Sequence, residues 1–293
     1  MYASPFHYTR ASSWQEAVGL IAEEGEDARA IAGGQSLAPM MMLKMSEPSF
    51  LVDIRDVAPR SIERENGTLR LSALARHVDL ETSPDVAAAF PALGEAAGMI
   101  GNVRVRHRGT IGGSLAHSDP SAELPCVALA AGATVTALGP SGERTVPAAE
   151  LFLSHFTTSL DHGELITRVD FPALRPGQGS AFVELVRRPG DFASVMVCAV
   201  VQLGADGRCA DARVVVGSTA DRPLDLTAAA ESLRGAELRA EAVAAAARAV
   251  ADATEIGSST HGSEAYRREM VAVLTRRALL KATARARGEG EPE

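Results

Sequence analysis

Short apolar runs alternate with stretches whose apolar residues recur at three- and four-residue spacing, so the chain reads as strands interleaved with helices. Ser13 and Glu16 stand at capping-box spacing ahead of Ala17, Leu20 and Ile21, which predicts a helix with Glu23 and Glu24 on its polar side. The Glu24-Gly25-Glu26-Asp27 break ends that helix, and residues 29–32 predict a short buried strand running straight into Gly33-Gly34. A short helical or irregular piece at 40–43 and a strand at 51–54 complete a small α/β unit, with a boundary near residue 57.

From residue 58 the pattern predicts a second unit. It has a strand at 68–71, helices at 85–90 and 93–100, a glycine-rich turn at 109–114, an alanine-rich helix at 123–131, and strands at 134–138 and 165–171. The run Arg104-Val105-Arg106-His107-Arg108 alternates in charge and reads as a solvated strand or, preferably, a polar partner surface. Pro172 and Arg175-Pro176-Gly177-Gln178-Gly179 set the next boundary near residue 176. Beyond it come strands at 182–186, 195–203 and 212–216, with an Asp206-Gly207 hairpin turn, then helices at 224–233, 240–254 and 264–286. The expected division is therefore 1–57, 58–176 and 177–287, with 288–293 a disordered tail.

Two glycine loops carry the candidate chemistry: Ala32-Gly33-Gly34-Gln35-Ser36 and Thr110-Ile111-Gly112-Gly113-Ser114. Paired glycines let the backbone take positive φ and come close to a ligand, so that successive N–H groups point at one anion such as a diphosphate. One such pair is explained by a tight turn. Two in one chain, with Ser36, Thr110 and Ser114 adding hydroxyl donors, point to a shared ligand. Neither loop has the GxGxxG or GxxxxGK[ST] spacing, which excludes a Rossmann or ATP-binding P-loop site.

Three ordered segments resemble the FAD-binding signatures of the flavoprotein (medium) subunits of molybdenum hydroxylases, the xanthine dehydrogenase and aerobic carbon monoxide dehydrogenase family. They are AGGQSLAPMMMLKM at 32–45, VRVRHRGTIGGSLAHSDPSAELP at 103–125 and RRPGDFASV at 187–195, within a resemblance that runs from Phe6 to about Leu280. The resemblance implies an α+β protein: the vanillyl-alcohol-oxidase-type (PCMH) FAD-binding fold of two α/β subdomains, then a C-terminal domain with a three-stranded antiparallel sheet and a helical bundle. It implies that Arg29, Ala30, Ile31, Ala32, Gly33, Gly34, Gln35, Ser36 and Leu37 wrap the diphosphate and ribityl chain of FAD. Thr110, Ile111, Gly112, Gly113 and Ser114 are expected to face them, with Glu123 hydrogen-bonding the cofactor. Ile100, Leu165 and Ile166 are expected to pack around its rings, and Phe192 to stack on the flavin or sit in the core. The sequence departs from many relatives at Gln35 (histidine there), Ser114 (asparagine), Glu184 (lysine) and Phe192 (tyrosine or tryptophan).

Charge and cysteine count narrow the role. A formal net charge of -8 disfavours a nucleic-acid partner, and no apolar stretch is long enough to span a membrane, nor is there a basic-then-apolar leader, so the expected location is cytoplasmic. Cys126, Cys198 and Cys209 lack CxxC spacing and read as buried free thiols, too few to hold an iron–sulfur cluster that takes four. No metal site is expected in this chain. His117 beside Asp119 is an acid–base candidate outweighed by the cofactor role of that segment, and with no nucleophile elbow in the sequence no catalytic residue is assigned. The resemblance then implies a large molybdopterin-binding subunit, a small subunit with two [2Fe-2S] clusters, and a dimer of heterotrimers, with FAD passing electrons to an external acceptor. A self-sufficient FAD-dependent oxidoreductase without molybdenum partners is the alternative. Substrate (carbon monoxide, purine, N-heterocycle or aldehyde) and acceptor (quinone, NAD or oxygen) stay open.

Overall fold

A computed structural model describes residues 2–257, 260 and 262–289; residues 290–293 of the expected tail lie outside the described residues. The N-terminal unit comprises β1 (His7–Arg10), α1 (Trp14–Glu24), β2 (Ala28–Ile31), α2 (Leu37–Met42) and β3 (Phe50–Asp53), with a three-stranded parallel sheet ordered β1-β3-β2. Ser13 caps α1 by accepting the Glu16 N–H at 3.2 Å, while the Glu16 carboxylate reaches back to Ser12 N at 2.7 Å, so only half of the capping box forms on Ser13. The helix buries Ala17, Val18 and Ile21. Strand β2 is less buried than its sequence suggests, because it is an edge strand with Arg29 exposed; the central β3 takes the buried place. Strand β1 was not anticipated.

The second unit begins with β4 (Ile62–Glu65) and β5 (Thr68–Ser72), followed by α3 (His77–Thr82), α4 (Pro84–Ala89), α5 (Pro91–Met99), α6 (Val103–Arg106), α7 (Ile111–His117) and α8 (Glu123–Ala131). Then come β6 (Thr134–Gly139), β7 (Gly142–Pro147), α9 (Ala148–Leu151), β8 (Phe152–Ser154), β9 (Thr157–Thr158) and β10 (Leu165–Pro172). Its main sheet is five-stranded and antiparallel, ordered β4-β5-β10-β6-β7. The charge-alternating run at 104–108 is not a strand: Asn102 accepts the N–H of Arg104 and Val105 and starts the single turn α6 there. Helix α8 is apolar on almost every side and is buried along nearly its whole length, ending at Gly132 in the left-handed region.

The C-terminal unit holds β11 (Gln178–Leu185), β12 (Val195–Leu203), β13 (Cys209–Gly217), β14 (Leu224–Asp225), a 3-10 segment at Thr227–Leu233, α10 (Ala240–Ala253) and α11 (Glu264–Ala286). Three long antiparallel strands form its sheet, and the two-residue β14 adds an edge, so the expected helix at 224–233 is a short strand and a 3-10 segment instead. One face of this sheet, through Phe182, Met196, Cys198 and Val215, joins the core of the second unit; the other, through Ala181, Val197, Ala199 and Val214, packs on α10 and α11. Burial on both faces explains why β12 reads as an unbroken apolar run. Fully buried side chains such as Phe182 and Leu124 each contribute roughly 1.5–3 kcal/mol.

Two features fix the packing of the C-terminal unit, one within it and one to α5 of the second unit. A Cβ at Gly179 would stand 2.0 Å from the Ala282 carbonyl oxygen, so glycine is what lets α11 lie directly on β11. Glu95 of α5 accepts the Phe182 N–H at 2.9 Å and pairs with Lys281 at 2.8 Å and Arg285 at 2.5 Å. Just past this C-terminal end of α11, Gly288 and Glu289 bond back to the carbonyls of Arg285 and Ala284. Among the described residues no helix is long and apolar enough to cross a membrane.

Candidate functional site

A cavity of about 760 Å³ runs between the three units, a size that suits a ligand as large as a dinucleotide. The first glycine loop leaves the end of β2, where its partner β3 also ends in register at Asp53. Gly34 sits at φ +70°, where a side chain is strained. Gly33 has a different need: a Cβ there would lie 2.2 Å from the Arg108 carbonyl oxygen and 2.8 Å from Gly109 Cα, so the two glycine segments meet backbone to backbone. Among the described residues, the amides of Gly33, Gly34, Gln35 and Ser36 find no protein acceptor. A row of open amides on the wall of a cavity is the chemistry that receives an anion. Gln35 turns its own side-chain amide onto the Gly33 carbonyl at 3.1 Å, bracing the loop.

Behind this loop, Asp53 closes β3 with a fully buried carboxylate. It accepts from Arg55 Nε at 2.9 Å and from the Tyr8 hydroxyl, and Arg10 lies at 3.7 Å. Burial alone would raise its pKa, but the Arg55 and Tyr8 hydrogen bonds outweigh that and hold it at about 2.

The second glycine segment is not the turn its sequence suggests. Thr110 is the N-cap of α7, its Oγ1 accepting from Gly113 N at 3.2 Å, and Gly112 and Gly113 lie inside the helix without positive φ. Close approach again demands the glycine: a Cβ at Gly112 would stand 2.5 Å from Ala73 Cβ, in the chain leaving β5, to whose carbonyl Gly112 N donates at 2.9 Å.

The cavity wall gathers eighteen of the nineteen residues expected at the site: Arg29 to Leu37 in sequence, Thr110, Gly112, Gly113 and Ser114, and also Ile100, Glu123, Leu165, Ile166 and Phe192. Ile111 is the exception, pointing into the core with no exposure. At one end Leu165, Gly163 and His162 approach Ile21 and Ala28. At the other, Ile100 and Gly101 meet Gly190, where a Cβ would be 2.8 Å from the Gly101 carbonyl oxygen. Phe192, 58% exposed, stands on this rim and is not a core aromatic. Its loop is anchored by the buried Arg267, which donates to Ser194 O at 3.2 Å, Gly257 O at 2.8 Å and Ser218 O.

Sequence reasoning missed several lining residues. His77 is 5% exposed, with its ring against Gly109 and its Nδ1 without a partner. Burial pulls its pKa to about 4, so it is neutral at neutral pH. Nothing local marks it, since its setting comes from the segment at 105–109. Trp14, Met40 and Met45 also line the cavity and carry only generic apolar signals. His117 packs its ring on Phe156 at 4.8 Å and makes no hydrogen bond to Asp119 among the described residues, although the Asp119 charge acts on it; Asp119 Oδ1 caps Ser121 N at 2.8 Å. Glu123 is 6% exposed, and burial, reinforced by the nearby carboxylates of Glu184 and Asp119, raises it to about 8. All three cysteines are free and buried, and no three His, Cys, Asp or Glu among the described residues are placed to hold a metal.

The residues fit FAD on three counts: open amides midway along the cleft for the diphosphate, apolar surface at both ends for two ring systems, and glycines whose replacement would fill the cradle. Comparison with known proteins agrees. Residues 4–174 match the model of the FAD binding domain in molybdopterin dehydrogenase, and residues 180–282 that of the CO dehydrogenase flavoprotein C-terminal domain. The chain is 43% identical over 286 residues to the 6-hydroxypseudooxynicotine dehydrogenase complex subunit alpha of Paenarthrobacter nicotinovorans, covering 96% of each chain. Its fold superposes on a chain of carbon monoxide dehydrogenase from Hydrogenophaga pseudoflava lacking the Mo-pyranopterin moiety, with TM-score 0.93, 37% identity and 97% and 99% coverage. For quinoline 2-oxidoreductase from Pseudomonas putida 86 the values are 0.92, 36%, 98% and 99%.

Proposed function

This chain belongs to the FAD-binding medium subunits of the molybdenum hydroxylases, and from that premise we propose that it is the electron-exit subunit of a larger dehydrogenase. It is an oxidoreductase subunit and its cofactor is FAD. In the proposed assembly a large molybdopterin-binding subunit oxidises the substrate and a small subunit with two [2Fe-2S] clusters relays the electrons, in a cytoplasmic dimer of heterotrimers. Bound FAD supplies the step between one-electron carriers and a two-electron acceptor.

The chain's own residues bind and orient. The amides of Gly33 to Ser36 hold the diphosphate from one side, and the hydroxyls of Thr110 and Ser114 face it from the other, the amides of Gly113 and Ser114 being taken by the α7 cap. Leu165 and Ile166 pack the adenine end and Ile100 and Phe192 the flavin end, with Glu123 hydrogen-bonding the cofactor. The division at residues 57 and 176 belongs to the same reading and is supported by three main sheets that each fall within one unit. The observation that carries the proposal is the row of unpartnered amides beside a cavity with apolar ends.

The test is purification of the tagged chain from its host, with cofactor identification and molybdenum and iron analysis. FAD with two co-purifying subunits, molybdenum and iron is the expected result. A metal-free, FAD-loaded single chain with full dehydrogenase activity overturns the partner assignment.

A further inference from the structure

The loop between β11 and β12 brings Gly190, Asp191 and Phe192 to the cavity, and few polar contacts hold it there. Ser194 N closes its base on Leu185 O at 2.7 Å, and Asp191 N turns back onto Arg188 O at 3.0 Å. Among the described residues, one hydrogen bond reaches residues 186–193 from outside the loop: Ser218 Oγ donates to Ala193 O at 2.8 Å. Its acceptor belongs to the residue next to Phe192.

Ser218 follows β13 in the left-handed region, at φ +67°. Glycine adopts this φ freely; serine in its place is strained, and what the side chain adds is the hydroxyl aimed at Ala193. The Ser218 N–H donates to Pro120 O at 3.0 Å, in the segment whose Asp119, Ala122 and Glu123 line the cavity. Its carbonyl accepts from Arg267 Nη2. Arg267, on α11, is 2% exposed, donates also to Ser194 O at 3.2 Å and Gly257 O at 2.8 Å, and has no carboxylate partner among the described residues. An enclosed guanidinium is costly unless its donors are met, so its rigid fork fixes where these carbonyls stand. Two cavity-lining segments thus converge on Ser218, 119–123 through its N–H and 190–192 through its hydroxyl, and Arg267 holds Ser218 itself.

We propose that Ser218 is a positioning residue, set by Arg267, that holds Gly190 and Phe192 against the flavin end of the cleft and so keeps water off the flavin ring. This rests on the assignment of the flavin to the Ile100–Phe192 end. The C-terminal unit then acts on the flavin through one hydroxyl, and not only by covering the cleft.

The test is the visible absorption spectrum of the full FAD-loaded chain, whose flavin band is structured in an enclosed apolar site and featureless in water, together with FAD affinity and thermal unfolding of the FAD-free chain. Ser218→Gly keeps the backbone conformation and removes the hydroxyl. It is expected to blur the flavin band and to weaken FAD binding about two- to tenfold, the equivalent of one neutral hydrogen bond. Its FAD-free chain should melt as the wild type does, because relief of the left-handed strain offsets the lost bond. Arg267→Lys, whose single ammonium cannot reach three separate carbonyls, should blur the band at least as much; if that chain does not fold, Ser218→Gly decides alone. A Ser218→Gly chain with the wild-type band and affinity overturns the proposal, as does one that melts lower with its band unchanged. Leu165→Ala, at the other end of the cleft, identifies a misplaced flavin: a band that blurs there and not in Ser218→Gly refutes the assignment beneath the proposal. A wild-type chain that takes up no FAD refutes the cofactor reading itself.

Discussion

Replacing Gly33 with alanine puts a methyl group where the backbone of the second glycine segment already is. The added carbon would lie 2.2 Å from the Arg108 carbonyl oxygen, 2.7 Å from its carbonyl carbon and 2.8 Å from Gly109 Cα. All three are main-chain atoms, so no rotamer change relieves the overlap; the loops must part by more than about 1 Å to reach ordinary contact of roughly 3.5 Å. Overpacking of this kind costs about 1–3 kcal/mol, and at roughly 2–4 °C per kcal/mol the apo chain should melt several degrees lower. Parting the loops also moves the open amides of residues 33–36 away from the hydroxyls of Thr110 and Ser114 across the cleft. Losing one hydrogen bond to a charged phosphate, about 1.5–3 kcal/mol, weakens FAD binding by about 10- to 100-fold. Thermal unfolding without FAD and equilibrium dialysis with it measure the two effects separately. Gly19→Ala is the control, because nothing lies within 4 Å of its added Cβ inside α1. It should stabilise by about 0.5–1 kcal/mol and leave FAD affinity alone. A Gly33→Ala chain with wild-type melting and wild-type affinity refutes the contact; one that melts low but binds normally refutes the placement of the diphosphate.

Three further outcomes follow from the charges and the rim. Asp53 holds a pKa of about 2, below the ordinary carboxylate value, so its stabilisation is complete above about pH 4 and lost as pH falls toward 2. Asp53→Asn should cost about 1–3 kcal/mol at pH 7, after allowing for the partial exposure of Arg55, and should flatten the acid limb of a urea-unfolding series. Glu123 is raised, so in the apo chain the folded state keeps a proton that the unfolded state releases between the ordinary glutamate value and about 8. Stability should therefore fall as pH rises through that window, by up to about 1.4 kcal/mol per unit for this one proton, and Glu123→Gln should remove its share of the slope. Phe192→Ala should change unfolding free energy by less than about 0.5 kcal/mol, because the ring is on the rim. It should weaken FAD binding by about two- to tenfold if the ring stacks on the flavin, and a large loss of stability with unchanged affinity would contradict that role.

What the sequence made legible is what local chemistry dictates. Ser13 ahead of α1, the apolar run of β12 and the alanine-rich α8 each carry their signal within a few residues, and all three form where expected. The second glycine pair was misread because its requirement is not local. Gly112 is glycine for the sake of Ala73, on a segment far away in the chain, and its backbone is plain helix. His77 was invisible for the same reason: Gly109 packs on its ring, and no neighbour in sequence records that. Strand β1 has only four residues, mostly exposed, and owes its existence to pairing with the central β3. Composition carries no trace of such a partner.

The C-terminal unit shows how a domain without glycine-loop chemistry still shapes the site. Its sheet is sandwiched between α11, admitted by Gly179, and the FAD-binding units, joined through the Glu95 clamp. That double burial fixes β11 and β12 as rigid supports, and the loop between them is the part left at the cavity. Arg267 holds the end of that loop with three main-chain acceptors, so Gly190 can close on Gly101 and Phe192 can stand on the rim without a core of their own. The C-terminal unit thereby supplies one wall of the Gly101 end of the cavity, and a change in the α11 packing reaches that wall through β11 and β12.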